Sequence, residues 1–296
     1  MDTAVSPAAP EQPPPPERDS RGRTVVRTIG EVLITLGLVV LLFVVYEVYV
    51  TDWFSAGKQR DANAALEERW KAPPDPERSR RIEVTDGEAF ARMYVPSFGA
   101  DYQFAILEGT DDKSLEIGPG HYKGTALPGL PGNFAIAGHR VGKGAPFNDI
   151  DLLNSCDAII VETHASWFVY RVLPKADEVA GWPAKDQRRP KCRDVEPLWD
   201  RSLANNKRCD PVLGQKYWYR DTVGQEIVRP EDGSVISPVP HCPSVQPSFG
   251  PLASLLTLTT CHPRFSDRQR LIVHAVMTSE IPKSMGIRPP EFTETS

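Results

Sequence analysis

The sequence is short of the features that mark several common protein classes. It has no basic excess: 34 Lys and Arg stand against 39 Asp and Glu, a net charge of -5. Such a chain lacks the cationic face that releases counterions from a phosphate backbone, which excludes a general nucleic-acid binder. Among its five cysteines, Cys156, Cys192, Cys209, Cys242 and Cys261, no two stand as Cys-x-x-Cys. That removes the usual zinc knuckle and the thioredoxin-like redox pair, and no metal is expected. Glycine is outnumbered by proline, 21 to 29, and long helical patterns are few. Irregular loops, linkers and short strands are therefore the expected content.

Only one long apolar run is present. Val32–Tyr46 carries no charge, and extended to Val50 it approaches the ~20 residues that cross a bilayer as a helix. Tyr46, Tyr49, Trp53 and Phe54 cluster at its far end, where amphipathic rings favour the headgroup region. Arg18, Arg21, Arg23 and Arg27 precede the run, while only Lys58 and Arg60 follow closely. The positive-inside bias places the N-terminus in the cytoplasm and the remainder outside the cell. Ser55-Ala56-Gly57 also admits a cleaved signal peptide, the competing reading. The expected organisation is a disordered cytoplasmic tail (1–28), a transmembrane anchor (29–50), a spacer (51–82), one main domain (83–280) and a flexible C-terminal tail (281–296).

After the spacer, apolar runs of strand length recur between turn residues: FARMYV, YQFAIL, NFAIAG, AIIVET, WFVYRV, LLTLTT and RLIVHAV. This spacing predicts an all-β domain closed into a barrel. Between Gly181 and Pro230 the pattern fades into a long excursion before the LLTLTT strand. A structureless loop of that length is uncommon, so local helix over 194–205 and a Cys192–Cys209 disulfide are expected there.

The candidate chemistry sits at strand ends. Cys261 ends LLTLTTC, with Thr257 and Thr259 on the same face by strand alternation. His139 ends FAIAGH. A cysteine nucleophile needs a base near in space, and a histidine distant in sequence is the usual source. Arg268 and Arg270 open the strand that follows Cys261, where a cation could stabilise the oxyanion formed when a carbonyl is attacked. Alternation cannot choose between two arginines that share a face. His262, His274 and His164 read as packing or surface groups, and His241 lies in a Pro-rich loop with no visible co-ligands.

FAIAGH, LTLTTC and RQRLIVHA in this order resemble the sortase family, and CHPRFSDRQRLIVHA is most similar to its class E. The likeness covers about Gly118–Met277 apart from the excursion. It implies an eight-stranded sortase-like β-barrel and a cysteine transpeptidase that uses no cofactor. Cys261 would be the nucleophile, His139 the acid–base and Arg270 the oxyanion clamp, with Tyr122 and Thr259 as substrate contacts. The implied reaction cleaves a sorting signal of the Leu-Pro-X-Thr-Gly type, or Leu-Ala-X-Thr-Gly in class E, between Thr and Gly. An amine of a lipid-linked cell-wall precursor then takes up the acyl group. The alternatives are a pilus-polymerising sortase with a lysine acceptor, a secreted cysteine protease and a non-enzymatic adhesin.

Overall fold

The structure is a computed structural model describing residues 21–46, 51–71, 82–182, 190–198, 209, 218–245 and 251–294. It divides into two units, Met1–Tyr46 and Glu47–Ser296. In the first, α1 (Arg21–Val45) has a mean hydropathy of 2.6 over its most apolar window and buries none of its residues. At ~1.5 Å per residue, its 25 residues exceed a hydrocarbon core of ~30 Å. The helix starts at Arg21, so residues 21–28, expected in the disordered tail, are helical. The reason is local: Ala-poor but unbroken, the segment contains no proline and gains an Arg27–Glu31 pair one turn apart. Met1–Ser20, the rest of that tail, lies outside the described residues.

In the second unit, β1 (Ala89–Tyr94), β2 (Gln103–Glu108), β3 (Gly120–His121), β4 (Gly132–Ala137), β5 (Ala158–Glu162), β6 (Ser166–Val172), β8 (Ser254–His262) and β9 (Gln269–Pro282) form the barrel. Neighbours run β6-β5-β1-β2-β3-β4-β8-β9, and a β6–β9 pairing closes the circuit. The strand β9 makes closure possible by its length of 14 residues. Its first half pairs with β8 and its second half with β6. The short β7 (Gln225–Val228), which the apolar pattern did not reveal, pairs with the outer edge of β9 at Arg270–Val273.

Alternation sorts the strands into two faces. Phe134 and Ile136 of β4, Leu256 and Leu258 of β8, and Leu271, Val273 and Ala275 of β9 belong to one buried cluster. This is the barrel interior, filled by side chains as small barrels are. Residues of opposite parity, including Thr257, Thr259 and Cys261, therefore point outward.

Three expectations need correction. The stretch expected as a spacer contains α2 (Thr51–Trp70), which docks on the barrel with Leu66 buried against Ala89, Ala105 and Leu107. Its Gln59 amide donates to the Ala105 carbonyl (3.1 Å) and accepts from the Ala105 N–H (2.9 Å). Gln59 thus satisfies a stretch of β2 that β3, only two residues long, does not reach. The C-terminal segment is also held rather than flexible: Arg171 pairs with Glu294 (2.7 Å) and Glu291 (3.3 Å). Phe292 packs edge-on against Tyr94 and Trp167. That burial was hidden because the contacts are scattered singly between prolines and charges.

Finally, Cys192 is bonded to Cys156 and Cys209 to Cys242, not to each other. Each bridge fastens the excursion to a segment already fixed by the barrel. Cys156 precedes β5 and, with Cys192, Trp182 and Val195, forms a small buried cluster. Cys242 packs under Trp218 and Leu255. A bridge inside the excursion would have tied two weakly anchored pieces together. Of the helix expected over 194–205, residues 194–198 are not helical and 199–205 lie outside the described residues.

Candidate active site

The parallel pairing of β4 with β8 sets the site. Ala137 pairs with Thr259, and the ladder continues beyond the strand end: Gly138 N–H donates to the Thr259 carbonyl (3.1 Å) and Thr260 Oγ1 donates to the Gly138 carbonyl (2.8 Å). Two positions further on each strand are His139 and Cys261, on the outer face by parity. Adjacent strands lie ~4.8 Å apart, so register makes them neighbours. A β-carbon at Gly138 would stand 2.6 Å from the Phe147 ring, so this position admits only glycine. That close packing turns the chain at the foot of the loop where His139 sits, and Phe147 N–H donates back to the His139 carbonyl (3.0 Å).

On the other side of β8, Cys261 stands directly opposite Arg270 in the antiparallel ladder. Directly opposed residues share a face, so register selects Arg270 over Arg268, which precedes β9. The Arg270 guanidinium currently donates to the Asp267 (2.8 Å) and Gln269 (3.1 Å) carbonyls of its own hairpin. Those are local, exposed bonds that a substrate oxyanion could displace. Cys261 is the free cysteine among the described residues and is half-buried.

His139 is half-buried, and its Nε2 is buried with no hydrogen-bond partner among the described residues. Desolvation lowers its pKa below the usual imidazole value, and the nearby Lys143 charge lowers it further against the opposing pull of Asp112 and Glu116. The neutral ring is thus favoured in the resting site. An orphaned buried nitrogen is costly unless a partner arrives.

Tyr122 and Thr259, the expected substrate contacts, meet each other: Tyr122 Oη lies 3.0 Å from Thr259 Oγ1. Tyr122 is held by its N–H on the Ala135 carbonyl (2.9 Å) and by Thr125, whose hydroxyl donates to the Tyr122 carbonyl (2.8 Å). Beneath them the buried His121 bonds Glu108 at 2.6 Å and Thr125 at 2.8 Å, which rigidifies this loop.

Arg140 is a site residue the sequence did not single out. It is 4% exposed. It bonds Asp151 (2.8 Å), the His262 ring at Nδ1 (2.9 Å) and, at 3.4 Å, the Cys261 carbonyl. Its place directly after His139 was the available signal. His262 is accordingly an acceptor for a buried arginine. A groove of about 950 Å³ between Leu127–Leu130, Thr163–Ser166 and Pro282–Ser284 lies at the opposite end of β9 from Arg270. It is separate from this site.

Comparison with known proteins fixes the family. The SrtF sortase from Corynebacterium diphtheriae is 44% identical, over 72% of this chain and 96% of that one, with a TM-score of 0.57. Sortase SrtE2 of Streptomyces coelicolor is 32% identical over 229 residues, covering 83% of its length. The chain belongs to the sortase family. The sortase-domain profile matches residues 93–188, which include His139 and stop inside the excursion. Sortase SrtE1 of the same Streptomyces is 29% identical over 270 residues. The match covers 88% of this chain but 59% of that relative's length. Within the family the chain stands with the class E sortases.

Proposed function

We propose that this sortase is tethered by α1 with its N-terminus in the cytoplasm, and that its barrel processes surface proteins outside the cell. Arg21, Arg23 and Arg27 at the start of α1 support that orientation. So do the two disulfides, which persist in oxidising surroundings.

The substrate is a sorting signal of the Leu-Ala-X-Thr-Gly or Leu-Pro-X-Thr-Gly type, cleaved between Thr and Gly. The Cys261 thiolate adds to the threonine carbonyl carbon, and the oxygen takes up the negative charge beside Arg270. As the C–N bond breaks, the His139 imidazolium gives its proton to the leaving glycine amine, leaving a thioester. An amine of a lipid-linked cell-wall precursor then attacks the thioester, His139 removes its proton, and Cys261 leaves as thiolate. A neutral His139 makes the reactive ion pair a minor species. Slow turnover is the consequence.

What supports this reading is the register that sets Cys261 opposite Arg270 and places His139 two residues past the Ala137–Thr259 pair, with an unpartnered Nε2 on His139. Incubating the full chain in detergent with both signal peptides and either a diamine or a lysine-bearing peptide, then weighing the products, tests it. Transfer to the small amine with cleavage after Thr is expected. Products unchanged in Cys261→Ala overturn the assignment, and transfer to the lysine peptide alone makes the enzyme a pilus polymerase.

A further inference from the structure

On the same outer face, four positions back from Cys261 and Arg270, Thr257 pairs with His274 across β8 and β9. At ~3.3 Å per residue this is roughly 13 Å from the nucleophile. Glu226 of β7 and His241 converge there: Glu226 Oε1 lies 3.0 Å from His274 Nε2 and 2.8 Å from His241 Nε2. We propose that Glu226, His241 and His274 form a divalent-cation site suited to Zn²⁺, which clips β7 and the Cys242 loop to the strand that carries Arg270.

The decisive point is the proton on His274, which a chain of hydrogen bonds fixes. Asn133 Nδ2 donates to the Val235 (3.2 Å) and Ser237 (3.1 Å) carbonyls, so its Oδ1 must be the acceptor that faces Thr257. Thr257 spends its only hydroxyl proton on that oxygen, at 2.6 Å. At 2.8 Å, Thr257 Oγ1 can then only accept from His274 Nδ1–H. The neutral tautomer so defined points the bare lone pair of Nε2 at a carboxylate oxygen. Two electron pairs facing each other beside a fully buried ring require a cation between or beside them, either a second proton on the ring or a metal ion.

The surroundings favour a metal. Three ligand atoms, one from each residue, lie within 4.8 Å of one another. Two imidazoles and one carboxylate are the donors of open zinc sites, with a water in the fourth position. Two nitrogen donors make the set too soft for Ca²⁺ or Mg²⁺, which take oxygen cages. His241 and Glu226 keep 17% and 19% of their side chains exposed, so an ion can enter and a water can complete the shell, while His274 is sealed. The Thr257–Asn133 relay is the outer-shell support that orients a metal-binding imidazole and sets its tautomer. Tetrahedral ligands at ~2.1 Å from zinc stand about 3.4 Å apart, so relative to Glu226 Oε1 at 3.0 and 2.8 Å each imidazole nitrogen withdraws by about half an ångström. His241 sits in a loop at φ 64°, next to the bridged Cys242, and can make that movement. Asp232 and Asp221, whose charges act on His241, offset the positive charge the ion leaves over.

The test uses the untagged full chain in detergent, in a Cys261→Ala background so that the catalytic thiol cannot take the metal. After chelator treatment, Zn²⁺ is titrated by calorimetry, and metal content and Tm are measured. One Zn²⁺ per chain, a raised Tm and a tetrahedral visible spectrum with Co²⁺ are expected. Glu226→Gln, which preserves shape, and His241→Asn, on the loop, should each abolish stoichiometric binding. Thr257→Val should weaken it by about 10–100-fold through the relay alone. No one-to-one binding in the parent, or unchanged binding in both Glu226→Gln and His241→Asn, overturns the proposal. The first outcome makes the cation a proton on His274.

Discussion

Removing the Cys156–Cys192 bridge should destabilise the barrel by an amount that its loop length sets. The bridge spans 36 residues and the Cys209–Cys242 bridge spans 33. Loop-closure entropy gives about 3.8 and about 3.7 kcal/mol respectively, and because the two loops neither nest nor interleave, their contributions should add. Cys156 and Cys192 are both buried, so truncation also removes packing. A double-mutant cycle separates the terms. Cys156→Ala and Cys192→Ala each lose the bridge plus their own packing, whereas the double variant loses the bridge only once. The sum of the single effects should therefore exceed the double effect by the bridge's own contribution, about 2–4 kcal/mol once residual structure in the unfolded chain is allowed for. Urea unfolding of the full chain in detergent supplies the three values. An excess below about 1 kcal/mol would refute the loop-entropy reasoning. Non-reduced peptide mapping that joins Cys192 to Cys209 would refute the connectivity itself.

Four further outcomes follow from the site and its supports. Because the Lys143 charge lowers the His139 pKa, Lys143→Met should move the acidic limb of the kcat/KM profile to higher pH, and Glu116→Gln should move it lower; a Lys143→Met limb that stays put or falls removes this account. The same depression means the unfolded chain binds the His139 proton first as pH drops below about 6.5, so this residue's contribution weakens stability toward acid, and His139→Gln should flatten that part of the stability–pH curve. Deleting residues 286–296 strips both carboxylates from Arg171, which is 9% exposed, and should cost roughly 3–5 kcal/mol in urea unfolding, where a flexible tail would cost nothing. Arg140→Met should lower stability by about 2–3 kcal/mol, less than a sealed pair because Asp151 is a third exposed. It should also lower kcat more than it raises KM, since the change reaches Cys261 through the backbone.

Much of this was legible because the relevant signals are periodic. Seven apolar runs located seven strands of the barrel, and alternation put Thr257, Thr259 and Cys261 on one face, opposite the buried Leu256 and Leu258. The short strands β3 and β7 were not legible. Two residues at Gly120–His121 carry no period, and Gln225–Val228 is half polar because it lies on the barrel's edge. Disulfide partners could not be read either, since a cysteine's partner depends on which neighbouring segment is rigid, and sequence distance does not report that. Arg140 and the Glu226–His241–His274 cluster were missed for a related reason: their members come from separate strands and loops, and no spacing links them. Register adds what alternation could not, that Arg270 stands opposite Cys261 across the β8–β9 ladder, because opposition is a relation between two strands.

The packed interior dictates where a peptide must lie. Phe134, Ile136, Leu256 and Leu258 fill the barrel between β4 and β8, so no substrate enters it. On the proposed reaction, a signal peptide would therefore reach Cys261 along the outer face. The residues that face outward there beside the nucleophile are small: Ala137 on β4 and Thr259 on β8, paired in register. Together they make a low floor, and Tyr122, bonded to Thr259, stands as its wall. A bulky side chain at position 137 would fill this floor while leaving the His139–Cys261–Arg270 register untouched. Ala137→Leu should therefore raise KM for the signal peptides many-fold while a small thiol-directed alkylating reagent still labels Cys261 at the parent rate. Loss of labelling together with peptide turnover would show instead that the substitution had moved the strand ends, and equal KM values would place the peptide elsewhere on the barrel.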